Sequence, residues 1–582
     1  MQATNSQLTD FIGAAKQYCI PIFQRPYSWG KNDVKKLFED ILSIADDKKR
    51  PCHFIGSVIY LPTTPFVSQI TRCYIIDGQQ RLTTLSLTLL ALADYSREYY
   101  SDSDYKESST RYEQISELYL INKFGKGELK YKLKLSGDDF QAYKKLIEIQ
   151  EKKESSTETV TVPVNLKNCL VFRNFDDICR LLKRRRINPE KVIEGIGKLL
   201  LVDIPLNPDD NAQLVFETVN STGKPLTEAQ KIKNFILMTV PLDKQDELYE
   251  ECWHPMEKNL SETEFDTFFR YYMTVKLKAQ INNSYYDSFK EYVTDCGSDT
   301  MTIVQEIKRF HEHYLRWKNA EKSDNVIDVC ISQIKSTEQN KVTPVILKVL
   351  DDIKNKRCSF EDAKKVLTVI ESYWMRRAIC ALPTNTAGAV CFTMLKNLGK
   401  PHYYQDFIKA IHNLTMAQRI PKDDEMKKTL YEVSIYGKSF ARKLLDRMEA
   451  HENKEYSHSS NHSIEHIMPQ TIQSHEELYA RTDLTDSQKE RIDWAIDLGE
   501  NWQEIHEKYL NTIGNLTLTG FNPEYQNFRF QNKKEMKNGY KESTIRLTSL
   551  TLANLEKWGE EEIRNRSEIM SEIICDIWKY PL

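Results

Sequence analysis

Apolar positions recur at two different periods in the first hundred residues. In Asp33–Leu42 the apolar side chains return every three or four positions, which predicts an amphipathic helix capped by Asn32 or Asp33. Two short runs rich in β-branched and aromatic residues, Phe54–Tyr60 and Cys73–Ile76, predict strands. The chain is therefore expected to begin with a mixture of strands and helices.

A longer apolar run, Leu82–Tyr95, predicts a buried helix. From about residue 170 to residue 450 the pattern stays helical and turn signals are few. The amino-acid composition changes near residue 450, where the segment His451–His475 holds five of the twelve histidines. These patterns predict a predominantly helical α+β protein with a domain boundary near residue 450.

Composition agrees with a helix-rich chain of several domains. The 582 residues include only 19 glycines and 19 prolines, and this length corresponds to about four domains, or to two or three larger ones. The net charge of −3 excludes a uniformly basic nucleic-acid-binding protein and an acidic disordered chain. The first residues resemble no signal peptide, the apolar runs are too short to cross a bilayer, and the twelve cysteines form no CxxC motif. We therefore expect a reduced, cytoplasmic protein without a membrane segment.

Two polar motifs lie in the first region. The segment IPIFQRPYSW (residues 20–29) holds Gln24 and Arg25 between stiffening prolines. In IIDGQQRLTTL (residues 75–85) a strand ends, a glycine turns the chain and a helix begins, and such a helix start can bind an anion through its unpaired N–H groups. Arg81 could then donate to a phosphate, and Asp77 could hold a metal ion or a ribose hydroxyl. The alternative is a tight turn with a surface-paired arginine, and the chain has no GxxxxGK[ST] phosphate loop.

A third stretch combines LVFETVNSTGKPLT (residues 214–227) with KIKN (residues 231–234). Its pattern predicts two helices joined at Gly223, the second capped by Thr227. On the pattern alone, this stretch is best explained by packing between helices.

The most specific chemistry lies in SIEHIMPQ (residues 463–470), followed by IGNLTLTGFN (residues 513–522). Hydrolysis of a phosphodiester needs an activated water, a cation on the leaving oxygen and a donor for the added negative charge. His466 beside Glu465 supplies a base and an oxygen ligand of the kind that Mg²⁺ prefers. Asn515, on a strand-like segment, is placed to orient the histidine through its second ring nitrogen. A Glu-His pair alone is more often explained by a histidine that caps a helix. The pair together with the IGNLTLTGFN segment is a far more specific indication of a nuclease site.

These motifs resemble one family. The first two resemble the GmrS-type N-terminal domain of GmrSD-like, modification-dependent (type IV) restriction enzymes, and the last set, continued by Asn527 and Lys533, resembles the HNH (ββα-metal) nuclease of GmrD-type C-terminal domains. Matching segments at Met375–Thr384 and around Trp558 extend the resemblance over essentially the whole chain. The resemblance implies a nucleotide-binding, DNA-sensing domain of the ParB/sulfiredoxin-like fold (residues 1–240), a helical connecting domain (241–450) and an HNH nuclease domain (451–582).

The resemblance also implies roles for individual residues. It makes His466 the general base, Asn515 the residue that orients it, and Lys533 a phosphate contact. The implied ligands of Mg²⁺ or Mn²⁺ are Glu465, Asn522 and Asn527. The implied nucleotide-binding residues are Gln24, Arg25, Asp77, Gly78, Gln79, Gln80, Arg81, Asn220 and Asn234.

The implied function is an endonuclease, regulated by a nucleoside triphosphate (NTP), that cleaves or nicks modified foreign (phage) double-stranded DNA in antiviral defence, with NTPase activity in its N-terminal domain. Two alternatives stay open: a nucleotide-dependent sensor of modified DNA with a vestigial nuclease, and an RNA-cleaving or host-directed HNH toxin. From His451 onward the chain has 15 basic and 23 acidic residues, a net charge of −8, with six basic residues grouped in Arg529–Arg546. Such a segment binds DNA poorly unaided, which favours a gated over a constitutive nuclease. The resemblance leaves room for a homodimer.

Overall fold

The computed structural model describes residues 3–47, 49–63, 70–155, 166, 168–207, 209–220, 226–281, 284–453, 455, 461–473 and 484–581. The chain packs into two compact units, Met1–Asp266 with Phe289–Val304 and Thr267–Ser288 with Gln305–Leu582. Helices dominate both units, and the strands among the described residues form two small sheets. The predicted α+β, predominantly helical class is therefore confirmed.

A mixed six-stranded sheet lies in the first unit. Its strands are β1 (Thr4–Gln7), β2 (Lys16–Cys19), β3 (His53–Pro62), β4 (Thr71–Asp77), β5 (Leu133–Lys134) and β6 (Leu199–Pro205). In the order β1-β6-β3-β4-β2-β5, β3 runs parallel to β6 and antiparallel to β4, and β4 runs parallel to β2. The two predicted strands lie within β3 and β4, so both predictions are confirmed.

Helices surround this sheet. They are α1 (Leu8–Gly13), α2 (Lys31–Asp46), α3 (Gln79–Tyr99), α4 (Asp102–Glu107), α5 (Tyr112–Ile115), α6 (Gly137–Ser155), α7 (Leu170–Arg185), α8 (Pro189–Gly197), α9 (Ala212–Asn220), α10 (Glu228–Met238), α11 (Leu242–Leu248) and α12 (His254–Lys258). Short π or 3₁₀ turns lie at Ser116–Leu120, Gly127–Lys130 and Tyr249–Trp253.

The predicted amphipathic helix is α2, and its cap differs from the prediction. Val34, Leu37, Phe38 and Ile41 are buried, as their spacing indicates. The helix begins at Lys31, two residues earlier than the apolar pattern does, and Gly30 is its N-cap. Asp33 is instead the third helical residue, and its carboxylate accepts the Gly30 N–H at 3.0 Å.

The predicted buried helix is α3, and it extends the apolar run at both ends. Apart from the partly exposed Arg81, its residues from Gln79 to Ser96 are buried on all faces. Three threonines satisfy their hydroxyl groups inside the helix, because Thr83, Thr84 and Thr88 each donate to the carbonyl four residues earlier at 2.8 Å. The polar residues in this apolar run are therefore compatible with full burial.

The prediction around residues 214–234 is also confirmed where the chain is described. Helices α9 and α10 form, and Thr227 caps α10 by accepting the Gln230 N–H. The predicted turn at Gly223 lies outside the described residues.

The remaining helices continue in chain order. They are α13 (Glu262–Leu277), α14 (Tyr285–Cys296), α15 (Thr300–Lys318), α16 (Val326–Lys335), α17 (Thr343–Lys354), α18 (Phe360–Ile379), α19 (Ala387–Asn397), α20 (Tyr403–His412), α21 (Asp423–Glu432), α22 (Ala441–Glu452), α23 (Asp486–Leu498), α24 (Trp502–Tyr509), α25 (Asn522–Tyr525), α26 (Phe530–Glu535), α27 (Arg546–Leu552) and α28 (Glu560–Ile577). Short 3₁₀ turns lie at Ala320–Lys322, Asn340–Val342, Met416–Gln418, Ile513–Asn515 and Tyr540–Glu542. None of the described helices is both long enough and apolar enough to span a bilayer.

A two-stranded antiparallel ribbon, β7 (Ser463–His466) and β8 (Leu516–Thr519), lies in the second unit. Its apolar side chains belong to a core that also includes Met570 and Trp578 from the last helix and its end. The boundary predicted near residue 450 falls inside α22, which runs without a break to Glu452. The ribbon is thus packed into the helices that precede and follow it.

Candidate active site

The ribbon places the Glu-His pair at one of its ends. Glu465 lies opposite Thr517, and His466 lies opposite Leu516. Because successive side chains of a strand point to opposite faces, the carboxylate and the imidazole of this pair point away from each other. Their adjacency in sequence therefore does not make them neighbours in the site.

The His466 ring has polar contacts on both nitrogens. Nε2 lies 3.1 Å from Oδ1 of Asn511, and Nδ1 lies 3.4 Å from Nε2 of Gln470. The ring of Tyr436 packs edge-on, with the ring centroids 4.3 Å apart. Burial lowers the pKa of this histidine, whose exposed fraction is 6 %. A neutral imidazole at neutral pH is the form that can accept a proton.

Glu465 is engaged by a buried lysine. Lys533 in α26 donates to Oε1 of Glu465 at 2.6 Å and to the carbonyls of His466 and Ile467 at 3.1 and 3.2 Å. Tyr540 adds a hydroxyl at 3.3 Å from the same carboxylate oxygen. Burial raises the pKa of the Glu465 carboxyl, and the Lys533 ammonium offsets part of that effect. Lys533 is 0 % exposed, so its position differs from that expected of a phosphate contact.

Asn515 holds the loop that follows β7 instead of contacting the histidine ring. Its Oδ1 accepts the Met468 N–H at 2.8 Å, and its Nδ2 donates to the carbonyls of Met468 and Leu510 at 3.0 and 2.9 Å. Trp558 donates its indole N–H to the same Oδ1 at 3.2 Å. The expected orienting contact to His466 is therefore made by Asn511, four residues earlier.

A buried arginine from the last helix braces the same turn. Arg566 in α28 donates to the carbonyls of Gly514 and Leu516, both at 2.7 Å, and to the Thr551 hydroxyl at 2.9 Å. Trp558 and Ile563, from the segment around Trp558 that matches the family, are buried as well. The end of the chain therefore packs against the GNLTL segment of the nuclease motif.

The three predicted metal ligands all contact other residues of the fold. Glu465 is bound to Lys533, whereas Asn522 in α25 donates to the Ser463 hydroxyl at 3.1 Å and the Ile464 carbonyl at 2.9 Å. Asn527 is half-buried, and its carbonyl accepts the indole N–H of Trp494 at 3.1 Å. Across the part of the chain that the structure describes, no group of three or more His, Cys, Asp or Glu side chains could hold a metal ion. The predicted set of one glutamate and two asparagines is of a different kind, and its binding of a metal ion stays a prediction.

The basic stretch Arg529–Arg546 is largely neutralised by local partners. Arg529 pairs with Asp497, Lys541 with Glu535 and Lys533 with Glu465. Lys534 and Arg546 donate to the carbonyls of Leu555 and Glu452. Five of its six basic side chains are therefore engaged within the fold.

In the first unit, the two N-terminal motifs meet in one polar cluster. Gln24 donates to the Ile76 carbonyl at 2.9 Å and accepts the Gln79 amide at 3.1 Å. Gln80 accepts the backbone N–H groups of Ser28 at 2.8 Å and Trp29 at 3.3 Å. The glutamine amides thus fasten the loop at residues 20–29 to the start of α3.

Arg81 is held by the sheet. Its Nη1 donates to the Ile55 carbonyl at 2.6 Å, and its Nη2 lies 3.2 Å from Asp77 Oδ2. Gly56, at φ +103°, makes room for the guanidinium, because a Cβ there would lie 1.9 Å from Nη1. Gly78, at φ +98°, turns the chain from β4 into α3. The pair formed by Arg81 and Asp77 corresponds to the paired-arginine alternative.

A cavity of about 570 Å³ adjoins one of these motifs. Gln24 and Arg25 line it together with Lys233 of α10, whose ammonium lies 3.0 Å from Oε1 of Glu257. Asp139 also lines it; its carboxylate accepts the Tyr27 N–H at 2.7 Å, and burial raises its pKa.

The residues Asp77 to Arg81 do not line this cavity, and neither does the buried Asn234. The side chain of Asn220 lies outside the described residues. The structure thus places Gln24 and Arg25 at a cavity, while Gln24 also contacts Gln79 behind it.

Two family models match the chain. The model described as the GmrSD restriction endonuclease N-terminal domain matches residues 8–237, and that described as the GmrSD restriction endonucleases C-terminal domain matches residues 420–573. The chain belongs to the GmrSD restriction endonuclease family. Among curated proteins, no relative matches it.

Both clusters lie inside the matched GmrSD regions. The C-terminal match contains His466, Asn511 and Arg566, and the N-terminal match contains Gln24 and Lys233. DNA is the substrate of a restriction endonuclease, so the C-terminal cluster is the candidate cleavage site of a GmrSD protein.

Sequence reasoning missed two GmrSD-domain residues that contact His466. Asn511 stands four positions before the Asn515 of the GNLTL motif, and Tyr436 precedes His466 by 30 residues. A second asparagine in NTIGN was the available signal for Asn511. No local pattern connects Tyr436 to His466, because folding alone brings them together.

Proposed function

We propose that this restriction endonuclease hydrolyses DNA phosphodiester bonds with His466 as general base, and that an NTP bound in its N-terminal region licenses cleavage of modified foreign DNA. One observation carries the proposal: a neutral histidine is held by polar partners at the end of a strand in the C-terminal restriction endonuclease domain. A base in this form can take a proton from water at neutral pH.

In this proposal the described side chains serve one chemical step, the transfer of a proton from water to His466. His466 deprotonates the attacking water, while Asn511 and Tyr436 hold the ring. Glu465 and Lys533 fix the carbonyls around the end of β7 and contact no reacting atom in this scheme. A divalent cation remains a proposed requirement of HNH-type cleavage, and no described residue is assigned to it.

The NTP part of the proposal rests on the cavity beside Gln24 and Arg25. Its volume of about 570 Å³ lies within the range of about 300–1,000 Å³ that is usual for ligand sites. Arg25 and Lys233 are the cations at its wall that a phosphate group would contact. The wall also carries five carboxylates, and one of them, Glu257, already pairs with Lys233; the five are Asp138, Asp139, Glu250, Glu257 and Glu262. We expect Arg25→Ala to weaken NTP binding in a titration calorimeter and to leave the folded state intact.

Gated cleavage of modified DNA is supported by the charge distribution. The segment from His451 onward carries a net charge of −8, and most of its clustered basic side chains are already paired. Unaided binding to arbitrary DNA would be weak, because such binding depends on phosphate neutralisation. Recognition of the modification is therefore assigned to residues outside this segment.

The proposal is tested by cleavage of plain DNA and of phage-type modified DNA, with and without Mg²⁺ and each NTP. We expect cleavage of a modified substrate by the wild-type chain and its loss, by about 10²-fold or more, in His466→Gln. Undiminished cleavage by this variant would refute the assignment of the base. Binding without cleavage by the wild type under every condition would instead support the sensor alternative, and preferential RNA cleavage would support the toxin alternative.

A further inference from the structure

The two ring nitrogens of His466 have unlike neighbours. Nε2 faces an amide oxygen, Oδ1 of Asn511, at 3.1 Å, and Nδ1 faces an amide nitrogen, Nε2 of Gln470, at 3.4 Å. A neutral imidazole carries one N–H and one lone pair. An acceptor beside Nε2 and a donor beside Nδ1 are both satisfied only when the hydrogen is on Nε2.

Asn511 is fixed more firmly than Gln470. Its backbone carbonyl accepts the N–H groups of Ile435 at 2.7 Å and Tyr436 at 3.2 Å, and the residue is half-buried. The same contact brings the Tyr436 ring against the imidazole, with 66° between the ring planes. One asparagine therefore holds both the hydrogen-bond acceptor and the aromatic wall of the histidine.

Gln470 is exposed and lies in the loop after β7. Its amide can rotate into solvent at little cost, because water replaces its single long contact to Nδ1. Nδ1 is therefore the nitrogen that a water molecule can reach, whereas Nε2 stays covered by Asn511.

We propose that Asn511 is a positioning residue of the cleavage reaction, which holds His466 as the Nε2–H tautomer and leaves Nδ1 to accept the proton of the attacking water. The second half of this proposal rests on the proposed function. In that step a water proton moves to Nδ1 and the water oxygen forms a bond to phosphorus. The phosphorus–oxygen bond to the departing sugar then breaks, and that sugar oxygen takes a proton from solvent.

The tautomer is measured first, without DNA, on the full chain labelled with ¹⁵N-histidine. Comparison with His466→Gln assigns the His466 signals among the twelve histidines. We expect a proton on Nε2 and a lone-pair shift on Nδ1. A proton on Nδ1 in the wild type would overturn the proposal.

Two variants of nearly equal size separate the acceptor from the shape of the side chain. Asn511→Asp keeps an oxygen beside Nε2 and should keep the tautomer, whereas Asn511→Leu removes it and should give a mixture of both tautomers. Asn511→Ala repeats the loss in case leucine disturbs the fold, and circular dichroism checks each variant.

The cleavage assay uses the same variants. We expect Asn511→Leu to lower kcat about 10- to 100-fold with little change in KM, and Asn511→Asp to recover part of that loss. A merely structural role would leave the tautomer unchanged in every folded variant, and equal cleavage by wild type and Asn511→Leu would exclude the positioning role. If the tautomer is as expected but the wild type cleaves nothing, the proposed function fails and the tautomer assignment stands.

Discussion

At the residue scale, a buried ion pair beside the β7–β8 ribbon indicates the roles of Glu465 and Lys533. Lys533 and Glu465 lie 2.6 Å apart, and neither is exposed beyond 4 %. The lysine also donates to two backbone carbonyls, so its three hydrogens all have acceptors. An ammonium placed in this way supports the loop that carries His466 and has no donor left for DNA.

Removing one partner of this pair should destabilise the fold. We expect Lys533→Met or Glu465→Gln to lower the free energy of unfolding by about 3–5 kcal/mol, since each leaves a buried charge without its partner. The double variant should lose less than the sum of the two, and urea unfolding measures all three. A stable Lys533→Met protein that has lost only DNA affinity would restore the phosphate-contact role.

His313 in α15 gives a prediction of pH dependence. Its Nε2 lies 3.9 Å from Asp351, which Arg309 also contacts, and burial lowers its pKa to about 4. The unfolded chain therefore takes up this proton at higher pH than the folded chain, so stability falls as pH drops from about 6.5 towards 4. We expect this residue to contribute a loss of about 2 kcal/mol between pH 7 and pH 5.

The check is thermal unfolding at several pH values. The slope of stability against pH in this range should be smaller in His313→Gln than in the wild type. An identical slope in both proteins would mean that other groups cause the dependence.

At the scale of elements, local patterns located the regular structure well. The strands β3 and β4 and the helices α2 and α3 follow directly from the apolar pattern. Burial of one face gives apolar residues at a regular spacing, and burial of all faces gives a continuous apolar run. The start of α2 was less predictable. Gly30 has no side chain to signal a cap, and the hydrogen bond from its N–H to Asp33 exists only once the turn has formed.

The site was predictable in its members and less so in their roles. The motif identified His466, yet the partner of its ring is Asn511 and the partner of Glu465 is Lys533. Which of two asparagines meets the ring depends on the turn at Ile513–Asn515, where Asn515 is drawn towards Met468. Tertiary packing determines which asparagine contacts the ring, and no periodic pattern in the sequence indicates it.

The junction of β3 with α3 provides a test at this scale. Gly56→Ala would bring a Cβ to 1.9 Å from the Arg81 guanidinium, in addition to the cost of a positive φ. Gly297→Ala is the matched control, because its φ is +57° and nothing lies within 4 Å of the new Cβ. We expect the first variant to lose about 2 kcal/mol more than the second in chemical unfolding.

If the two variants lose equal stability, the Arg81 side chain can move away from its contacts without lowering the free energy of unfolding. Its contacts with Ile55 and Asp77 would then not be needed to hold the start of α3.

At the scale of the whole molecule, acidic and basic residues are nearly equal in number, and the grouped basic side chains of the C-terminal segment also lie close to acidic or carbonyl partners. The net charge of −3 is spread over two units, and the grouped basic residues of the C-terminal segment are paired within the fold. In this GmrSD protein most of the basic side chains of Arg529–Arg546 are thus already engaged and are not free to neutralise DNA phosphates.

We therefore expect a shallow salt dependence for binding to unmodified DNA. Raising salt from 50 to 200 mM should weaken binding about tenfold, against about 10³–10⁵-fold for a protein that contacts six to ten phosphates. Fluorescence anisotropy on a labelled duplex measures this slope. A steep slope would show that a basic surface elsewhere in the chain dominates binding.

The contacts of Arg566 with the turn at Ile513–Asn515 have a consequence for the time at which this region folds during translation. Arg566, which holds Gly514 and Leu516, is made 100 residues after His466. At about 5–20 residues per second, a ribosome needs about 5–20 s to cover that distance. During this interval the histidine has already been made, but the turn beside it lacks its clamp. An unfinished chain that already contains His466 therefore lacks the side chain that holds the neighbouring turn, and under the proposed function the cleavage site is completed only late in translation.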